Sequence, residues 1–544
     1  MKKITLAILL LSGINVFGQG EQQGIELPDF VITGKQNIEI PKAVKPKPDL
    51  ITTLSTDFFL PQYSPDELPV TITTDPVGSA PDIRPQTGYY NSSLIIQTGR
   101  YTFPSGELNL NKAFDNYLID AKVWGTNIRD YIANSGFNTS GVSLSNEFYL
   151  STRSGFLPGT RLKLSAAYSR DSYHLFASDD PAALRKTGDG YLIASILNEM
   201  NRALNYGIET GVNILSADER NIRETNINSQ AHADFIWNDL SFGGKLTLKE
   251  QMLRQDSVPY EQDQDITLSE NHLFYSGEGH LKITPAGFFN LSAGIAYYAV
   301  KDNSLLAPFG SLECFLGDRL TFYAEYRPAG QFLTLSDFLK KNVYLNFGDD
   351  STLPKNLFEK RNIDFNVMLK YEYDKYITVA LSGGYSHVDN YPYYEDLQST
   401  GTGKFDLLVA PEAKIFSSKL DFYYYTDVYG CLMGNATYSD SKDPDGHRIP
   451  YDPRIKSTLI YGYNLPFGFG FKASYTLAYD VVTNPDNSEK LGDYHDISLA
   501  LHYELWRGFK ITADFQNILN RSNFVWRQYQ EKPFDMMAGV EYSW

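Results

Sequence analysis

Eight histidines are the residues best suited here to acid–base work or metal ligation: His174, His232, His272, His280, His387, His447, His495 and His502. An imidazole titrates near neutral pH, and it needs a carboxylate or a nucleophile within reach to do chemistry. In an extended chain, residues two apart share a face. On that basis Glu278 and His280 share a side with His272, and His502 shares one with Glu504. No nucleophile stands in a recognisable setting beside them. The loop DSKDPDGHR (440–448) offers Asp440, Asp443, Asp445 and Gly446. Ser441 occupies the first acidic position of a calcium loop, where an Asp ligand is required, so an Asp/Gly-rich turn is expected. The acidic segment 256–271 reads as a solvated surface loop. No Cys/His metal spacing and no phosphate-binding glycine motif occur. No catalytic residue, metal or cofactor is therefore assigned, and the chain is not read as an enzyme.

The elements that carry these side chains are strands. From residue 92 onward the dominant signal has period 2. In 363–373, Ile363, Phe365, Val367, Leu369, Tyr371 and Tyr373 share one face. Asp364, Asn366, Met368, Lys370 and Glu372 share the other. Lys472 alternates with Phe471 and Ala473, and His502 and Glu504 alternate with Leu501, Tyr503 and Leu505. Such strands put their polar face either to outside water or to a lumen.

Strand count and loop length separate the two. The pattern predicts 22 strands between 92 and 544, including 188–200, 405–414 and one long strand at 419–438 whose apolar residues keep one parity. Short connections (238–239, 285–287, 316–317, 374–375, 415–418, 465–467, 506–507) alternate with long ones (127–141, 171–187, 216–228, 251–271, 328–362, 388–404, 439–454, 480–492, 519–533). Two connections, 102–105 and 301–304, are short where a long one is due. An even strand count with segregated loops is the pattern of an outer-membrane barrel, with both chain ends in the periplasm. The fold class expected is all-β, a transmembrane antiparallel β-barrel of 22 strands. Asp364, Lys370, Glu372, Lys472, His502 and Glu504 are the candidate lumen-lining residues.

Composition agrees. Tyr (39) and Phe (33) are abundant, and mean hydropathy is −0.32. A net charge of −17 argues against nucleic acid as a partner. The two cysteines, Cys314 and Cys431, fall in predicted strands and form no disulfide framework. The start, MKKITLAILLLSGINVFGQG, reads as a signal peptide cut near Gly18, its apolar run short of the ~20 helical residues that span a bilayer. Residues 19–91 are Pro-rich. The barrel is assigned to 92–544.

The last segment, FDMMAGVEYSW, sets Phe534, Met536, Ala538, Val540, Tyr542 and Trp544 on one face. It resembles the signal read by the barrel-assembly machinery, a strand ending in an aromatic residue. Upstream stand GNATYSDSKDPDGHRIPYDPRIKSTLIYGYNLPFGFGFKASYTLAY and ITADFQNILNRSNFVW. With these, residues 434–544 resemble the C-terminal end of TonB-dependent receptors. The resemblance implies an outer-membrane receptor barrel that takes up a solute. It also implies a short N-terminal box that docks on a TonB-like periplasmic protein by strand addition. IELPDFVITGK (25–35) is similar to such a box, with Phe30, Val31, Ile32, Thr33 and Gly34 at the matching positions. The chain departs from the family in the segment between box and barrel. Residues 36–91 are too few and too rich in proline for a plug domain of the usual size. A wide barrel without a full plug would leak unless a partner or an inward-folded loop such as 328–362 fills it. Expected partners are the outer-membrane bilayer, the assembly machinery, a TonB-like protein and an unidentified solute. Two alternatives stand beside transport: a structural barrel acting with a partner protein, and a membrane-embedded hydrolase.

Overall fold

A computed structural model of the protein describes residues 92–151, 157–198, 203–260, 264–285, 288–347, 357–396, 403–426 and 428–544. Strands run antiparallel to their chain neighbours, from Ser92–Gly99 to Asp535–Ser543. The main sheet has 23 segments, but Leu320–Tyr326 and Ala329–Phe332 pair in succession with the same partner, Phe358–Tyr373. Counted once, they leave a barrel of 22 strands. The ring closes because the first strand pairs with both the second and the last. Ser93 faces Ser543, Gly99 faces Met537, and Ser92 and Trp544 exchange backbone hydrogen bonds of 3.1 and 2.9 Å. No edge is left open to lipid, where each unpaired backbone group would cost several kcal/mol.

The outer wall carries the apolar half of each alternation. Leu144, Leu164, Leu192, Ile208, Leu246, Ile295, Leu306 and Leu381 are exposed there. Phe114, Phe148, Trp237, Phe242, Tyr373, Tyr429, Phe467 and Trp506 stand exposed near the short-turn ends. This is the aromatic belt of a membrane interface. Asn238, Asp374, Gly317, Gly468 and Gly508, all at short turns, take positive φ (54°, 49°, 77°, 86° and 82°), which these residue types tolerate. Cys314 and Cys431 are free and half-buried in strands.

Three expectations change in their bounds. The strand expected at 188–200 is present, and it runs Leu184–Asn198. The stretch 405–438 divides elsewhere: Phe405–Thr426 is one strand, and the turn lies at 427–429, not 415–418. Thr426 pairs with Gly430 across a three-residue turn. An odd-length turn preserves side-chain parity, so unbroken parity could not reveal it. The long connections are also shorter than expected, because strands continue beyond the membrane. Leu240–Tyr260 and Gln264–Ile283 convert most of 251–271 into a paired hairpin.

Alternation makes a prediction. Leu246, on the outer wall, is 66% exposed, while Thr247 is turned the other way. Arg at 246 is expected to destabilise the refolded barrel by about 2–4 kcal/mol. Arg at 247 should leave the urea midpoint in lipid vesicles nearly unchanged. Equal effects would contradict the assigned faces.

Candidate functional site

The segment after Phe332 turns inward instead of standing out as a loop. Gly330 permits this: a Cβ there would meet Phe358 and Tyr298 side chains at 2.6 Å. Phe332 and Phe358 then pack on Phe274 and Val300 of the inner wall. A short helix, Leu335–Lys341, follows. Thr334 caps it, accepting from the backbone N–H of Asp337, while the Asp337 carboxylate accepts from the backbone N–H of Thr334. Residues 333–347 form a lid at the end of the barrel where the long connections lie.

Buried polar anchors hold the lid. Glu224, fully buried, accepts from the backbone N–H of Leu335 (2.8 Å) and Ser336 (2.9 Å) and from the Gln251 amide. Arg185 is 1% exposed. It donates 2.9 Å hydrogen bonds to the carbonyls of Val343 and Leu345, lies 4.5 Å over the Phe347 ring and pairs with Glu219. Lys404 joins Glu219 at 2.6 Å. Tyr394 donates to the Phe338 carbonyl, and Asn346 donates to Asp406. Arg185 and Asp406 belong to the sixth and sixteenth of the 22 strands, nearly opposite one another. Adjacent lid residues, Leu345 and Asn346, reach the two, and Glu219 and Lys404 link the same pair of strand ends, so the lid ties together ends that the ring order sets far apart.

Its apolar side is Leu335, Phe338, Leu339, Leu345 and Phe347, packed with Leu215, Ile222, Phe405, Leu407 and Tyr529. Tyr529 belongs to a small hairpin (Phe524–Trp526 with Tyr529–Gln530) in the connection 517–534. Its ring stacks on Tyr344 of the lid with centroids 3.4 Å apart. Below, a chamber of about 980 Å³ is bounded by residues including Trp124, Asp189, Tyr191, Lys472, Tyr494 and Glu531. Asp189 reaches the lid through Lys340 at 3.0 Å.

The candidate lumen residues are scattered around the barrel and do not gather at one centre. Lys472 borders the chamber. Asp364 accepts from Ser386 at 2.9 Å, Lys370 pairs with Glu372 at 2.8 Å, and Glu504 accepts from the Gly508 N–H at a short turn. His502 lies opposite Thr512. Met536, Ala538, Val540, Tyr542 and Trp544 point outward on the last strand, and Phe534 precedes it, half-buried. Residues 25–35, with Phe30, Val31, Ile32, Thr33 and Gly34, lie outside the described residues. His280 pairs with Asp234 (2.9 Å), His387 with Glu412 (3.1 Å) and His272 with Glu270 (3.3 Å), while Glu278 faces Arg327. At 440–448, Asp443 accepts from the His447 N–H and closes its own turn. Sequence pattern missed Arg185 and Glu224, the lid anchors. Their lumen-facing parity is the only local signal they carry, and every strand supplies such residues.

No family model matches the chain, and no curated protein matches it. Solved structures do. The ferric-catecholate import receptor Fiu from K12 E. coli superposes with a TM-score of 0.61 at 10% identity, covering 84% of this chain and 82% of that one. The copper transporter OprC gives 0.61 at 12% identity, over 83% and 80%. The siderophore receptor PiuA from Acinetobacter baumannii gives 0.59 at 11%, over 83% and 82%. Likeness at such identities speaks for the fold, and with the closed ring and apolar outer wall it makes this chain an outer-membrane barrel with the 22-strand fold of the TonB-dependent receptors.

Proposed function

We propose that the barrel passes a solute across the outer membrane through a lumen gated by the 333–347 lid. The supporting observation is the convergence of strand ends on the lid. It joins Arg185 of the sixth strand to Asp406 of the sixteenth over the mouth, so its release would let these ends part. Asp364, Lys370, Glu372, Lys472, His502 and Glu504 would line the path. Phe30, Val31, Ile32, Thr33 and Gly34 would dock on a TonB-like protein by strand addition, and the outward face ending at Trp544 would serve assembly. The structural alternative draws on the same lid, because a mouth built shut also suits a barrel that conducts nothing.

Conductance separates them. Arg185→Met with Glu224→Ala removes both anchors, and each buried lid carbonyl or N–H left without its wall partner costs about 1–3 kcal/mol. In planar bilayers the native chain should stay mostly closed. The double variant should show large steady conductance, in the full chain or after deletion of residues 19–91. Correctly folded barrels that stay shut in all forms would support the structural reading. Deletion of 25–35 is expected to abolish capture by a TonB-like periplasmic domain while the barrel still assembles. Retained capture would remove the docking strand.

The lid should also respond to acid. Burial pushes the Glu219 carboxyl up, but Arg185 and Lys404 prevail and hold it below its ordinary value of 4.5. A carboxyl lowered on folding stabilises above that ordinary value, and the stabilisation is lost as pH falls through the lowered one. Protection from hydrogen exchange at 343–346, relative to the intrinsic rate at each pH, should therefore stay high from neutral pH down to about 4.5 and fall below it. Protection already lost at pH 6 would argue against this anchor.

A further inference from the structure

The chamber beneath the lid carries an unbalanced charge. Its volume, about 980 Å³, is in the range of small-molecule sites. Most charged groups near it are compensated locally. Lys122 pairs with Glu107 (2.9 Å) and Asp189 with Lys340 (3.0 Å), while Lys472 lies within electrostatic reach of Asp514. One corner differs. Lys532 is the cation among three carboxylates, Asp535, Glu531 and Asp496. Its ammonium is committed to Asp535 at 2.8 Å and to the Thr102 hydroxyl at 2.9 Å. Asp496 accepts from the Asn517 N–H (2.9 Å) and the Ser498 hydroxyl (3.1 Å), neutral donors that orient it without cancelling its charge. Glu531 and Asp496 thus face the chamber with a deficit of positive charge. Tyr494 lines the same chamber within electrostatic reach of both. Trp124 and Tyr191 supply further aromatic surface on the same lining.

We propose that this chamber binds a small cationic solute whose ammonium group sits between Glu531, Asp496 and the ring of Tyr494. An ammonium supplies the missing charge, and aromatic faces favour it further through cation–π attraction. The inference rests on the transport reading and names the class of solute. Burial, opposed by Lys532 and reinforced by Asp496, pushes the Glu531 carboxyl up to about 7. The other groups facing it are the hydroxyls of Tyr131, Tyr344 and Tyr494, neutral at this pH. As pH rises through about 7, Glu531 ionises, so amine binding should strengthen from pH 6 to pH 8.

Calorimetric titration of the full chain with spermidine tests this, with mannitol and glutarate as neutral and anionic controls. It is run on the native and lid-released forms, both checked for folding by heat-modifiable gel migration. Spermidine should bind, about tenfold tighter at pH 8 than at pH 6, as expected when one carboxyl ionises between them. Glu531→Gln should weaken binding at pH 8 at least about tenfold and remove the pH dependence, and Asp496→Asn should weaken it at both pH values. Absence of spermidine binding in both forms, equal binding of glutarate, or binding indifferent to both substitutions would overturn the proposal. Conductance keeps the two readings apart. A lid-released barrel that conducts but binds no spermidine refutes the cationic site alone. One that binds spermidine yet never conducts refutes transport.

Discussion

Ser92 and Trp544 bond to each other across the seam, and this pairing allows the rest of the barrel to exist in lipid. A sheet in hydrocarbon has no water to satisfy a free edge, so the first and last strands must meet in register. The contact is reinforced on the inner side. The buried Asp535 accepts from the backbone N–H groups of Tyr101 and Thr102 and from Lys532. The seam therefore couples closure to the connection 517–534, which in turn holds the hairpin stacked on the lid.

Closure at 22 strands fixes a wide lumen, and a wide lumen cannot be filled by its own wall side chains. Among the described residues, the segment 333–347 enters the mouth at one end and packs with the hairpin 524–530. Gly330 lets the strand turn in, Thr334 caps a two-turn helix, and the wall offers Glu224 to the helix start and Arg185 to the carbonyls beyond it. Both anchors are ordinary lumen-facing positions on strands that would pair equally well without them. Their charge is needed for the lid, and the ring does not require it.

Much of the ring was legible because alternation is a local signal repeated on every strand. At 363–373 the exposed apolar side chains Ile363, Phe365, Leu369, Tyr371 and Tyr373 fall on one parity. The turn at 427–429 was hidden because it has an odd length, and the extended hairpin at 240–283 because its upper part lacks an apolar face. The lid was legible only as a long connection that could fold inward. Its anchors depend on pairing between residues more than 100 positions apart, such as Glu224 with Ser336, and no periodicity encodes that. The same distance hid the corner made by Asp496, Glu531 and Lys532.

The lid's energetics bear on how it could work. Burying Leu335, Phe338, Leu339, Leu345 and Phe347 gains about 1.5–3 kcal/mol for each side chain. Ordering the backbone costs about 1–2 kcal/mol for each residue. Burial of these five side chains alone does not offset ordering of the whole segment 333–347, so the polar anchors are needed to hold it in place. Lid and chamber meet near Glu531: Tyr344 lies within electrostatic reach of it and stacks on Tyr529, two residues before Glu531 in the chain. A solute that shifts Glu531 therefore acts on the same aromatic stack that holds the lid down, and closure and occupancy share one set of side chains.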